Sequence, residues 1–406
     1  MTAKLNRYSS GRWLLLWLLL LLAGCQSTAD DPQPAPASGQ DLFVSATKIV
    51  TAPKALLQAA AVSAGFADYI QYVQYDVTFY KLIYKTAFQG KEIQASGLVG
   101  VPLNTPKPPA LLSAQHGTIF RSADAPSNFP SSFSGFELFA GAGFATAIPD
   151  FIGFGTSDNI FHPYFDQPAS AAAVVDMLKA TQYYLQSQQT ALNDHLFLVG
   201  YSEGGYVTMA AQKEIETTTA HNLTLTAVAA GAGGYDLPEM LTGIANTPTY
   251  ATPAFLAFIL QAYNTTYGWN RPLTDFFQQP YAGRLPGLLD GSKTLDEIDA
   301  SLTTKPAELF APAFYTNLQN GTGEADLRQK LRDNSFLTWV PKSPTRLFHG
   351  TADESVFYQT SETTFKRFQA AGATNVEFIP IPGGMHRTSI APMMLNVLPW
   401  FQSLDK

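Results

Sequence analysis

One stretch constrains this chain more than any other: Gly200-Tyr201-Ser202-Glu203-Gly204-Gly205, because the residues before it read as a buried strand and those after it as a helix. Asn193-Asp194-His195 is a polar turn that runs into the apolar, β-rich Leu196-Phe197-Leu198-Val199. From Tyr206 through Val207, Met209, Ala210 and Ala211 to Glu216, the apolar spacing fits an amphipathic helix. A turn this tight crowds its neighbours, so the positions two before and two after the serine must be nearly without side chains. Gly200 and Gly204 stand there. Such a turn lifts Ser202 Oγ clear of the sheet, at the positive end of a helix where negative charge is stabilised.

Gly-x-Ser-x-Gly between a strand and a helix resembles the nucleophile elbow of the α/β-hydrolase fold. The resemblance implies an α/β architecture: a mostly parallel central sheet flanked by helices, with an inserted cap. It also implies that an acid and a histidine follow the serine in chain order.

Composition limits the alternatives. With 406 residues, 46% of them hydrophobic, the chain can bury a large core as one big domain or two modest ones. A net charge of -7 without any long basic block argues against a nucleic-acid surface. A single cysteine excludes an internal disulfide and a cysteine-rich metal site, and no H-E-x-x-H spacing occurs, so neither metal nor cofactor is expected. Gly231-Ala232-Gly233-Gly234-Tyr235-Asp236 completes no dinucleotide fingerprint.

That cysteine has its own context. Lys4, Arg7 and Arg12 precede an apolar run, Leu14 to Leu22, too short for the ~20 residues of a spanning helix and suited to a signal peptide. Leu22-Ala23-Gly24-Cys25 resembles a bacterial lipobox, which implies a lipidated Cys25 at the mature N-terminus and a stable hold on a membrane surface. Gln26, in place of an aspartate, points by the same resemblance to the outer membrane; the alternative is an ordinary secretory signal and a secreted or periplasmic protein. The proline-rich residues that follow read as a tether. The expected organisation is a signal peptide at 1–24, a linker at 25–41, a first core segment at 42–236, a cap at 237–340 and a second core segment at 341–406.

Within the core, Lys54 to Val73 shows a broken helical pattern, and the alternating runs from Val77 and to Val101 flank Gln89-Gly90-Lys91 as an antiparallel hairpin. A short strand, Pro109 to Ala114, runs into Gln115-His116-Gly117-Thr118. By resemblance, Gly117 or Thr118 supplies one backbone N–H of an oxyanion hole and Glu203 the other. The Glu203 carboxylate has a bland explanation, the favourable dipole of a first helical turn. Pro149-Asp150-Phe151-Ile152-Gly153-Phe154-Gly155 resembles a segment of the secretory lipases and their esterase relatives, with Asp150 read as a structural carboxylate. A helix over Ala169 to Gln188 and a strand over Leu223 to Ala230 are expected around the elbow. From Leu237 to Val340 the strand–helix rhythm stops and aromatic residues become frequent, most of them needed for the cap's own core.

The sheet resumes at Thr345 to Phe348, which runs into His349-Gly350-Thr351-Ala352-Asp353, and ends with Val376 to Ile381 before Pro382-Gly383-Gly384-Met385-His386. Ser202, Asp353 and His386 follow the α/β-hydrolase order, with Glu354 and Asp236 as competing acids. His162, His195, His221 and His349 lack a loop after the last strand and read as structural or surface residues. The implied activity is carboxylic ester hydrolysis on a small-molecule ester or lipid through an acyl-enzyme. Two alternatives stay open: a prolyl-type peptidase, to which Gly205 also fits, and an inactive surface-anchored binder.

Overall fold

The computed structural model describes residues 1–2 and 37–406, so the expected signal peptide, Cys25 and most of the tether lie outside the described residues. From Gly39–Leu42 the chain is already helical, capped by Ser38. Nine strands then form one sheet among the described residues: β1 (Phe43–Ala52), β2 (Val77–Phe88), β3 (Lys91–Pro102), β4 (Leu111–Gln115), β5 (Ala145–Pro149), β6 (Leu196–Tyr201), β7 (Ala227–Gly231), β8 (Thr345–Gly350) and β9 (Val376–Ile381). Their spatial order is β1-β2-β3-β5-β4-β6-β7-β8-β9. β1, β2, β3 and β5 pair antiparallel, and every pair from β5 to β9 is parallel. This is the α/β-hydrolase architecture.

The central strands β4 to β7 are buried along their whole length, as strands covered on both faces must be. Alternate residues feed two cores. Leu196 and Leu198 pack with Val174 and Leu178 of the long helix Gln167–Ser187 and with Val207 of the elbow helix Glu203–Thr217. Phe197 and Val199 face the other way, onto Val397 and Phe401 of the last helix, Ile390–Leu404. The β2–β3 hairpin closes through Gln89 and Gly90, both at positive φ, the two-residue turn that matches strand twist.

Two expectations need adjusting. The pattern gives no strand at 43–52, yet β1 adds an antiparallel edge there; register shifts at Phe43/Ser45 and Lys48/Val50 break the period of two that would have marked it. β7 starts at Ala227, because its pairing with β6 begins at Phe197↔Ala227, which leaves Leu223 to Thr226 outside the strand.

Between β7 and β8 the chain makes only helices among its regular elements, including Leu237–Ala245, Pro253–Thr266 and Leu295–Asp299. Phe258, Tyr263, Phe276, Phe277, Phe310 and Phe336 are buried there. Tyr263 and Tyr267 tie this insertion to the sheet body by donating to the Phe165 carbonyl and Asp166 Oδ2 at 3.1 and 2.7 Å. No helix among the described residues is long and apolar enough to cross a membrane.

Asp176, on the long helix, accepts the Thr86 hydroxyl hydrogen at 2.7 Å, and burial pushes its carboxyl up to about 6 from 3.8. A raised folded-state value means that the stabilising protonation is complete below 3.8 and is lost as pH rises through about 6. Asp176→Asn should match the wild type near pH 4 and exceed its stability by about 2–3 kcal/mol above pH 7. Urea unfolding at both pH values measures the difference; equal gaps at the two would contradict the assignment.

Candidate active site

Ser202 sits between β6 and the elbow helix with φ 60° and ψ -124°, a left-handed conformation that a serine adopts only when its surroundings hold it there. Its N–H donates to the Gly231 carbonyl at 2.8 Å, and its own carbonyl accepts from Gly205 at 2.9 Å. The glycine requirement read from the sequence has a structural cause. A Cβ on Gly200 would lie 2.2 Å from the Gly204 carbonyl oxygen, and one on Gly204 would lie 1.9 Å from that of Gln115.

The three residues picked for their chain order come together. His386 Nε2 lies 2.8 Å from Ser202 Oγ, and His386 Nδ1 lies 2.7 Å from Asp353 Oδ2. The loop after β9 that carries the imidazole is pinned at its backbone: the His386 N–H donates to Glu354 Oε2 at 3.1 Å, and its carbonyl accepts from the Tyr201 hydroxyl at 2.8 Å. Asp353 Oδ1 accepts the N–H groups of Ser355 and Val356 at 2.9 and 2.8 Å. Burial alone would raise the Asp353 carboxyl; hydrogen bonds from His349 and His386 outweigh it and hold the group well below the usual carboxylate range. An ionised Asp353 requires the proton on His386 Nδ1, which leaves Nε2 to accept from the serine hydroxyl.

The competing acids are engaged elsewhere. Glu354 holds the His386 backbone, as above, while Asp236 pairs with Arg367 at 2.7 Å and caps the helix Leu237–Ala245 through the Glu239 N–H. Asp150 is buried and accepts from Ser96 Oγ and Ser127 N at 2.6 and 2.7 Å, in keeping with a structural role. His195 and His221 bond to Asp405 and Glu214, apart from Ser202.

Two histidines read as structural or surface residues touch the site. His349 is fully buried, and its Nε2 lies 3.2 Å from Asp353 Oδ2, so the acid faces two imidazoles. The sequence signal was its place four residues before the acid at the end of a buried strand. His162 meets Glu203 Oε1 at 2.6 Å, a pairing across 41 residues that no local pattern announces.

Gly117 and Thr118 line a cleft of about 820 Å³ with Tyr201, Ser202 and His386. The His116 Nδ1 hydrogen bonds the Gly117 carbonyl at 2.7 Å and fixes that turn. The N–H groups of Gly117, Thr118 and Glu203 find no protein acceptor among the described residues. Of the aromatic rings in the insertion, Phe255 reaches the cleft wall.

Fold and cleft together define an α/β-hydrolase. The chain belongs to the secretory lipase family, whose profile matches residues 138–403. It is a carboxylic ester hydrolase of the lipase or esterase type, acting on an ester or lipid, which sets aside the peptidase and inert-binder alternatives. Among solved structures it resembles the rice cell wall degrading esterase LipA of Xanthomonas oryzae, with 25% identity, a TM-score of 0.77, and 90% of this chain and 96% of that one covered. A Legionella pneumophila protein presumed to be a hydrolase shares the fold at 24% identity and a TM-score of 0.83, covering 90% and 98% of the two chains. Candida antarctica lipase A in its closed state shares it at 18% identity and a TM-score of 0.67, covering 91% and 83%. No curated protein sequence matches the chain.

Gly204→Ala should destabilise the protein by at least ~2 kcal/mol and lower ester hydrolysis at least tenfold, since backbone rather than a pliant side chain occupies the space. Thermal unfolding and turnover of the purified variant check this; wild-type values for both would show that the elbow can give way.

Proposed function

We propose that Ser202 is the nucleophile of ester cleavage, His386 its general base and Asp353 the acid that orients His386. The supporting observation is the hydrogen-bonded line Ser202 Oγ, His386, Asp353 at 2.8 and 2.7 Å, which meets the cleft wall at Ser202 and His386. Ser202 Oγ attacks the ester carbonyl as its proton passes to His386 Nε2, and the imidazolium is steadied by ionised Asp353. The carbonyl oxygen takes the negative charge and is met by the N–H of Glu203 and that of Gly117 or Thr118. Collapse of this intermediate expels the alcohol, which takes the proton from His386 and leaves an acyl group on Ser202. Water, deprotonated by the same imidazole, then releases the carboxylic acid and restores the serine.

Residues 237–340 are proposed as a cap over residues 42–236 and 341–406. Phe255 and Leu295, from two of its helices, share the cleft with Phe133 and Phe136 of the sheet body, an apolar lining suited to an acyl chain. Ser202→Ala should lower hydrolysis of p-nitrophenyl acyl esters by roughly 10⁴-fold or more with its fold retained. Undiminished turnover, or failure of a fluorophosphonate to label Ser202 in the wild type, would refute the mechanism.

The proposal extends to localisation. Signal peptide 1–24, acylated Cys25 and a tether that ends before the helix Gly39–Leu42, short of the expected boundary at 41, would hold the enzyme on the bacterial outer membrane. Expression of the full chain with Cys25→Ser should move it from the membrane fraction to the soluble envelope fraction and abolish fatty-acid labelling. Unchanged fractionation and labelling would leave the secreted or periplasmic alternative.

A further inference from the structure

Glu203 follows Ser202 and opens the elbow helix, yet its side chain is buried rather than turned to solvent. Its Oε1 lies 2.6 Å from His162 Nε2. The other ring nitrogen, Nδ1, lies 2.6 Å from the Ile152 carbonyl, an oxygen that can only accept, so Nδ1 carries a hydrogen and donates it. A second proton must lie between Nε2 and Oε1, whichever atom holds it, because two bare acceptors would repel at that distance. The two side chains together therefore carry no net charge.

Cancellation matters because of where Glu203 stands. A lone carboxylate beside the nucleophile would oppose the negative charge that develops on the carbonyl oxygen during attack. Other titratable groups around it offer no compensating cation. His116, at the end of β4, is biased toward its neutral form by burial and gives its Nδ1 hydrogen to Gly117. Tyr164 in the loop after β5 and Tyr206 on the elbow helix keep their protons, raised by burial, and Asp150 is itself a carboxylate. From the insertion, Phe258 presents only its ring, stacked on His162 with centroids 5.7 Å apart.

Building on the Ser202 mechanism above, we propose that His162 is a positioning residue for ester cleavage acting through Glu203: the buried pair keeps unbalanced negative charge away from the oxyanion site. It also ties the elbow to the loop after β5, where Gly153 packs so tightly that a Cβ would lie 2.5 Å from His162 Cα.

The test compares wild type, His162→Gln and the double variant His162→Gln/Glu203→Gln on p-nitrophenyl butyrate at one fixed pH, with fluorophosphonate titration of active sites and thermal unfolding. Glutamine at 162 can still donate to Glu203 but cannot cancel its charge. H162Q should lower kcat roughly tenfold to a hundredfold, the effect of a unit charge several Å away at an effective dielectric near 20, with KM within about threefold. Removing the charge in the double variant should recover at least about tenfold of the loss. Wild-type kcat in H162Q, or a double variant no better than H162Q, would overturn the proposal. If H162Q does not fold because it strands a buried charge, the double variant has to fold and turn over, and its failure would overturn the proposal equally. A wild type that the fluorophosphonate leaves unlabelled would instead refute the Ser202 mechanism itself.

Discussion

A single imidazole ring, that of His386, spans the gap between Ser202 and Asp353, and the arrangement of the sheet is what makes the gap that narrow. Ser202 stands at the end of β6, Asp353 three residues beyond β8 and His386 five beyond β9. Because β6 to β9 run parallel and side by side, these strand ends open on one edge. Chain segments far apart in sequence can then meet with hydrogen-bond precision, provided their loops are held. Here they are: the backbone of His386 is tied to Glu354 and Tyr201, and the carboxylate of Asp353 to Ser355 and Val356.

Buried acids near this edge are all provided with donors. Asp353 receives two imidazoles and two N–H groups, Asp150 a hydroxyl and an N–H, and Glu203 the ring of His162. For Asp353 these donors outweigh the desolvation that would otherwise drive its carboxyl to take up a proton. Asp176, away from the edge, shows the other outcome, for one hydroxyl does not offset its burial and its carboxyl rises to about 6. Asp353 thus has partners that decide its charge, whereas Asp176, in the scaffold, does not.

The helical insertion shows how little of an aromatic-rich segment needs to face the cleft. Its rings pack mainly on one another, in pairs such as Phe276 with Phe314 and Phe277 with Phe310. Phe255 is placed at the cleft by the N-terminal turn of its helix, where Asp299 accepts the Ala254 N–H at 2.8 Å. The neighbouring helix contributes Leu295 to the same wall. Self-packing fixes where the insertion sits, and its few remaining contacts shape the cleft.

How far the sequence could be read follows from the range of the interactions involved. The elbow was legible because its demands are local: two glycines within two residues of a serine, an apolar strand before and an amphipathic helix after. Strand order along the chain, and with it the pairing of Ser202, His386 and Asp353 as candidates, was legible through resemblance to a fold with a known order. The edge strand β1 was not, since its bulges erase the period of two. Nor were the second imidazole on Asp353 and the His162–Glu203 pair. By itself the sequence determined which residues could turn, cross the sheet and bear chemistry, because backbone sterics and hydrophobic period act over a few residues. Only the tertiary structure decided which buried charges face each other, because that depends on loops from different strands converging at one edge.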